Sequence, residues 1–189
     1  DAIRDESFFG NRTHLLYIIN YYLNPFINNI DNYRLSITFF SIVASYVFYL
    51  CLLNRFKQTN YIYLILVSLL VLLSPFYRTS AYWGMEIQYG IISALLAIYF
   101  FTKEDNIKKI SSGNLFLSIF FSSCTVYFDL KLILIPLYIY IKIIFSNLTF
   151  KEKIRISVIY FIFAIPFILL IFQWGGLVPI KTQNANPLQ

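Results

Sequence analysis

The sequence predicts an all-α integral membrane protein with about six transmembrane helices and one interfacial amphipathic helix. The chain is 59% hydrophobic and only 13% charged, whereas an ordinary soluble domain is about 25% charged. Its apolar runs approach the roughly 20 residues that an α-helix needs to cross a bilayer. Its basic residues collect in short connectors, which is typical of membrane topology signals. We interpret the net charge of +6 as a signal of membrane topology, and we predict no nucleic-acid partner.

Six apolar runs are candidates for membrane spans, at about 35–53, 61–77, 88–101, 114–128, 130–146 and 155–173. The stretch 115–145 is too long for one span and short for two, with Asp129 and Lys131 in its middle. Both of its flanks are basic, so the positive-inside rule puts both in the cytoplasm. The sequence therefore predicts a hairpin with Asp129 at its tip.

The same rule orients the whole chain. Three basic connectors are predicted to be cytoplasmic: NRFKQTN at 54–60, TKEDNIKKISSG at 102–113 and NLTFKEKIR at 147–155. Most carboxylates fall on the opposite side, which we call the outer side. It is the periplasm if the protein lies in a bacterial inner membrane, or the lumen if it lies in the endoplasmic reticulum.

Three regions follow from this topology: an outer loop with an interfacial helix at 1–33, a transmembrane helical domain at 34–173 and a second outer loop at 174–189. Within the first region, residues 14–28 place apolar side chains at helical spacing and polar ones on the opposite face. Such a segment is expected to lie flat on the outer leaflet. Because the chain opens on Asp1 and ends in a polar stretch, we expect it to be part of a longer protein.

Polar groups gather at the outer ends of the predicted spans. The most conspicuous stretch is LLSPFYRTSAYWGMEIQYG at 72–90, between two apolar runs. An ionisable residue costs roughly 2.5–3.5 kcal/mol at the bilayer centre and less near its surface, so a cluster favours a substrate path. An ordinary aromatic belt with solvated charges is the alternative interpretation. The candidate substrate-binding residues are Arg78, Tyr82, Trp83, Glu86, Asp129, Lys131, Trp174 and Lys181.

The order of the outer motifs resembles the first half of the GT-C superfamily of membrane glycosyltransferases. The acidic pair Asp5-Glu6, the interfacial helix, Arg34 ahead of the next span and Ser74-Pro75 carry this resemblance. The likeness covers residues 1–101 well and the remainder loosely. It implies transfer of a sugar from a polyprenyl-phosphate or dolichyl-phosphate carrier to a glycan, lipid or protein acceptor on the outer side.

The resemblance also implies roles for individual residues. Asp5 or Glu6 would be the carboxylate that takes the proton from the acceptor hydroxyl. Arg78 and Lys131 would stabilise the charge of the departing lipid phosphate. Tyr82, Trp83 and Trp174 would stack on sugar rings. The carrier-linked sugar is a substrate and no resident cofactor is predicted, although a divalent metal beside the acids stays open.

Two other function classes remain alternatives. One is a polysaccharide polymerase or lipid-linked sugar flippase of the cell envelope, for which polar residues near mid-span and broken, paired helices are expected. The other is a noncatalytic membrane subunit, for which small-residue faces such as GxxxG are expected. The sequence favours neither, because its span centres are almost purely apolar and it contains no GxxxG.

Overall fold

The computed structural model describes residues 15, 19, 22–26, 29–82, 86–103 and 112–174. All regular structure within these residues is helical, which confirms the all-α prediction. The helices are α1 (Ile30–Arg55), α2 (Tyr61–Leu73), α3 (Pro75–Tyr82), α4 (Glu86–Thr102), α5 (Ser112–Phe128), α6 (Leu134–Ile144) and α7 (Phe150–Trp174), with a 3₁₀ helix at Leu130–Ile133.

Local side-chain chemistry explains several helix starts. Asn29 caps α1 by accepting a hydrogen bond from the backbone N–H of Asp31 at 2.9 Å. Asn60 does the same for α2 through the N–H of Ile62, at 3.0 Å. At α7, the Glu152 carboxylate accepts from the backbone N–H of Thr149 at 2.8 Å, and Glu152 donates its own N–H back to the Thr149 hydroxyl at 3.4 Å. These contacts satisfy backbone donors that a helix start leaves without intrahelical partners.

The predicted run at 61–77 is divided into two helices at Ser74-Pro75. Ser74 has extended backbone, with φ −61° and ψ 121°, as expected for a residue before proline. Pro75 then begins α3, where its missing N–H costs nothing. Helix α2 thus ends at Leu73, just before the proline, and the same proline starts a second helix that the apolar run at 61–77 did not predict.

The relative directions of the helices follow from contacts between distant residues. Helices α1 and α4 run parallel, because Gln88 bonds to the carbonyl of Ile37 while Asn54 bonds to that of Tyr99. Helix α5 returns antiparallel to α4, and its Ser118 hydroxyl donates to the carbonyl of Ala97 at 2.9 Å. The break after Phe128 and the packing of α6 back onto α5 agree with the predicted hairpin at Asp129.

Helix α7 runs parallel to α5. Tyr160 contacts Ser122 and, further along both helices, Phe163 contacts Tyr127. Helices α1, α4 and α6 therefore begin at the same end of the bundle, where α5 and α7 finish. We call this the Glu86 end, and the opposite one, where α4 finishes and α7 begins, the Lys103 end.

Small residues line the contact between α4 and α5. On α4 the buried positions include Gly90, Ser93, Ala94 and Ala97. A Cβ atom on Gly90 would lie 2.5 Å from Cδ1 of Leu132 and 3.3 Å from Cβ of Phe128, so this glycine permits a close approach. The sequence contains no GxxxG, but Gly90 with Ala94, and Ser93 with Ala97, place small residues at the same four-residue spacing. Helix α4 therefore carries a small-residue face, contrary to the expectation from the absence of GxxxG.

One described helix, at 31–55, is long and apolar enough to cross a membrane by itself. Three further apolar helices, α2, α4 and α5, are shorter, so the count of six spans remains a prediction. Helix α1 also begins at Ile30, within the predicted first loop. As a result Arg34 lies in its second turn and does not precede the helix.

The described part of the predicted interfacial segment packs on the bundle. Leu15 and Ile19 have helical backbone and contact the buried pair Tyr89 and Phe128. Tyr22 and Phe26, assigned to the same apolar face, are exposed. Part of this face therefore rests on protein, while the remainder of the segment lies outside the described residues.

Candidate functional site

The predicted site residues divide into those the structure describes and those it does not. Asp5, Glu6, Trp83 and Lys181 lie outside the described residues. Tyr82 and Trp174 close α3 and α7, but only their backbone is described. The catalytic pair and the aromatic stacking platform therefore remain predictions.

Arg78 lies on α3 and its side chain is exposed. The neighbouring residue, Tyr77, faces the protein: it is 3% exposed, and its hydroxyl donates to the backbone carbonyl of Ser41 on α1 at 3.4 Å. This anchor fixes the orientation of the short helix, so Arg78 is held outward at the Glu86 end. Glu86 begins α4 and is half-buried at that same end.

Asp129 and Lys131 meet through the backbone. The Asp129 carboxylate accepts a hydrogen bond from the N–H of Lys131 at 2.9 Å and caps the 3₁₀ helix. Asp129 therefore stabilises the start of the 3₁₀ helix, and its role in substrate binding stays a prediction. The Lys131 side chain is exposed at the Glu86 end, so the bundle brings it to the end that also carries Arg78.

A buried polar cluster at Gln88 was not anticipated from the sequence. Gln88 is fully buried and donates from Nε2 to the Ser41 hydroxyl at 2.6 Å and to the Ile37 carbonyl at 3.2 Å. Its Oε1 has no hydrogen-bond partner within the described part of the chain. A buried acceptor without a partner costs about 1–3 kcal/mol, so a closely packed arrangement must hold it in place. Together with the contact of the Tyr77 hydroxyl with the Ser41 carbonyl, the cluster joins α1, α3 and α4.

Tyr89 forms the wall between this cluster and a cavity. Its ring is 6% exposed and lies between Phe128, at a centroid distance of 5.8 Å, and Phe40, at 5.4 Å. The cavity has a volume of about 470 Å³, within the range of roughly 300–1,000 Å³ that is usual for ligand sites. It is lined by Ile19, by residues 23–26 and by residues of the first turns of α1.

Among the residues that the structure describes, the lining of the cavity is mostly apolar and carries no charged side chain. Its apolar residues include Leu23, Leu35 and Phe39. Its polar side chains largely bond to one another, since Asn24 donates to the Ser36 hydroxyl at 3.2 Å and Ser36 donates to the carbonyl of Tyr33. The cavity therefore suits a hydrocarbon chain, and a charged headgroup would have to lie outside it.

Two polar residues within apolar runs could have indicated the buried cluster at Gln88 from the sequence. Ser41 and Gln88 are polar residues inside apolar runs, and both are buried against a neighbouring helix. A polar side chain in an apolar helix indicates a protein-facing side. Which partner it meets depends on helix pairing, and the sequence alone does not supply that.

Among the described residues no group of three or more His, Cys, Asp and Glu side chains is arranged to hold a metal ion. The Glu86 end thus combines an apolar cavity, an exposed arginine, an exposed lysine and a half-buried carboxylate. In comparisons with known proteins, no family model, no curated protein and no solved structure matches the chain.

Proposed function

We propose that the protein is an integral membrane glycosyltransferase that uses a lipid-linked sugar on the outer side of the membrane. The membrane setting is supported by the apolar surface of the bundle. On α2 the buried residues are Leu64 and Ser68, while Tyr63, Leu66 and Leu70 are each more than half exposed. Soluble proteins rarely expose contiguous apolar surfaces of this kind, whereas a lipid-facing helix requires them.

The proposed orientation is supported by the charges at the two ends. The Lys103 end carries many of the described cations: Arg55, Lys57, Lys103, Lys142, Lys151, Lys153 and Arg155. Three of the four described acids, Asp31, Glu86 and Asp129, belong to the Glu86 end, and the fourth, Glu152, lies at the Lys103 end. Under the positive-inside rule, the Lys103 end faces the cytoplasm and the Glu86 end faces outward.

The observation that carries the proposed activity is the position of an uncharged apolar cavity at the same end as Arg78. A lipid phosphate needs both a hydrocarbon site and a cation at the membrane surface. The cavity beside Tyr89 would take part of the polyprenyl chain, and the guanidinium of Arg78 would bind the phosphate with its forked donors.

The reaction then follows the chemistry of an inverting transfer. A carboxylate, Asp5 or Glu6 in our prediction, takes the proton from the acceptor hydroxyl. The acceptor oxygen bonds to the anomeric carbon as the bond between that carbon and the phosphate oxygen breaks. The polyprenyl phosphate leaves with the bonding electron pair, and its negative charge is stabilised by Arg78.

The proposal is tested with membranes that contain the full-length protein and radiolabelled polyprenyl-phosphate sugars. Transfer of label to an acceptor, absent from membranes without the protein, is the expected result. Transfer that persists when both Asp5 and Glu6 are changed to Asn and Gln would contradict the assigned base. Absence of transfer with every carrier-linked sugar offered would contradict the activity itself.

A noncatalytic membrane subunit is the second candidate, favoured by the exposed apolar face of α2. A helix of a partner protein could cover that face as well as lipid does. Under this alternative the protein gives no transfer, but it copurifies with a membrane enzyme whose activity depends on it.

A further inference from the structure

A groove on the opposite half of the bundle lies between α6 and α7. It has a volume of about 390 Å³ and is separate from the cavity beside Tyr89. Leu137 and Tyr140 line it from α6, and Ser157, Phe161 and Ala164 line it from α7. Like the outer cavity it contains no charged lining residue.

The hydroxyl groups of the groove direct their protons into the protein. Ser157 donates to the carbonyl of Lys153 at 2.9 Å, so the 3.0 Å contact between Tyr140 and Ser157 has Tyr140 as its donor. In the same way Ser122 donates to the carbonyl of Ile119, which leaves Tyr160 as the donor in its 3.3 Å contact with Ser122. The groove therefore offers hydrocarbon contacts and no hydroxyl proton to a ligand.

Positive charge lies just beyond one end of the groove. Lys153 precedes Ser157 by four residues, which places it on the same helix face and about 6 Å further along the axis, towards the Lys103 end. Lys142 follows Tyr140 by two residues and so lies on a different face of α6, with its Nζ atom 5.8 Å from the centroid of the Tyr138 ring. The acid in this segment, Glu152, is engaged by Thr149 through both the backbone N–H and the hydroxyl.

We infer that this groove binds an anionic phospholipid of the cytoplasmic leaflet. One acyl chain lies between α6 and α7, and the headgroup phosphate contacts Lys153. The inference rests on the membrane setting and orientation of the proposed function, but it does not depend on sugar transfer. Basic residues at the cytoplasmic end of a gap between transmembrane helices are the usual basis of such recognition.

The test is a titration of the detergent-purified full chain by native mass spectrometry. The probes are palmitoyl-oleoyl phosphatidylglycerol and palmitoyl-oleoyl phosphatidylcholine, which differ only in the headgroup. We expect phosphatidylglycerol to bind about fivefold more tightly, on the scale of one basic side chain near a phosphate. The preference should fall as salt is added.

Substitutions at Lys153 and Ala164 separate the contact with the lipid headgroup from the contact with the acyl chain. Lys153→Gln should abolish the preference for phosphatidylglycerol, whereas Arg55→Gln, a cation at the same end on α1, should retain it. Ala164→Leu fills part of the groove with a larger side chain and should weaken the binding of both lipids alike. Equal affinities of the unaltered protein for the two lipids, or a preference that survives Lys153→Gln, would overturn the inference. Sugar transfer is assayed separately, so its failure would leave this result standing.

Discussion

The Tyr127 hydroxyl accepts a hydrogen bond from the backbone N–H of Phe167 at 3.1 Å, immediately after Pro166 in α7. The same hydroxyl donates to the carbonyl of Phe163 at 2.5 Å. In an uninterrupted helix these two backbone groups would bond to each other. Proline opens the ladder at this point, and a side chain from α5 enters the gap and satisfies both groups.

Removal of this hydroxyl by Tyr127→Phe should lower stability by about 1–3 kcal/mol, because two backbone groups of α7 lose their partner. Thermal unfolding in detergent measures the effect. Tyr46→Phe on α1 is the matched control, since that ring is 60% exposed. If both variants unfold at the same temperature as the parent, the inserted hydroxyl contributes nothing.

A second substitution at Pro166 tests the mechanism of that effect. Pro166→Ala restores an N–H and lets the helix ladder close, so Tyr127→Phe should cost less in its presence than alone. A double-mutant cycle measures this coupling. Simple addition of the two effects would mean that proline and tyrosine act independently.

A larger side chain at Gly90 should require the side chain of Leu132 to move away and should crowd Phe128. A Cβ here meets Leu132 at 2.5 Å and Phe128 at 3.3 Å, so Gly90→Val should lower the unfolding temperature, and Leu132→Ala should partly restore it. Gly113→Ala is the control, because a Cβ at Gly113 meets nothing within 4 Å. There the better helix propensity of alanine should stabilise the protein, by up to about 1 kcal/mol. Equal effects at the two glycines would contradict the packing argument.

The orientation of the bundle is tested by thiol labelling in intact cells or sealed vesicles. Thr79 and Asn147 are both exposed but belong to opposite ends. With Cys51 and Cys124 replaced by alanine, Thr79→Cys should react with an impermeant reagent added from outside, and Asn147→Cys should react only after permeabilisation. Labelling of Asn147→Cys from outside would reject the proposed topology.

Arg78 provides the sharpest test of the proposed phosphate site. Arg78→Lys keeps the charge but loses the fork of donors, so turnover should fall by roughly 10²-fold, the scale of losing one charge-stabilising donor. Arg55→Lys at the opposite end should leave transfer unchanged. If Arg78→Lys and Arg78→Gln both express normally and transfer sugar at nearly the parental rate, Arg78 is only an interfacial residue.

The sequence by itself determined the helical class and most helix positions. The apolar run predicted at 88–101 corresponds to the helix Glu86–Thr102, and the predicted break at Asp129 is present in the structure. These features depend on composition, apolar run length and a charged residue between two runs, all of which act locally along the chain. Local rules also explain the division at Ser74-Pro75, where the proline ends one helix and begins the next.

Only the tertiary structure decided which residues meet. Gln88 and Ser41 are 47 positions apart, and their contact exists because α1 and α4 run parallel at the required depth. The cavity beside Tyr89 and the groove between α6 and α7 arise in the same way, from faces that several helices contribute together. Helix periodicity shows which side of a helix is apolar, but an apolar side in a membrane suits lipid and protein equally well. Small and polar residues distinguish a protein-facing side from a lipid-facing side. They form their contacts only when a particular neighbouring helix is in place.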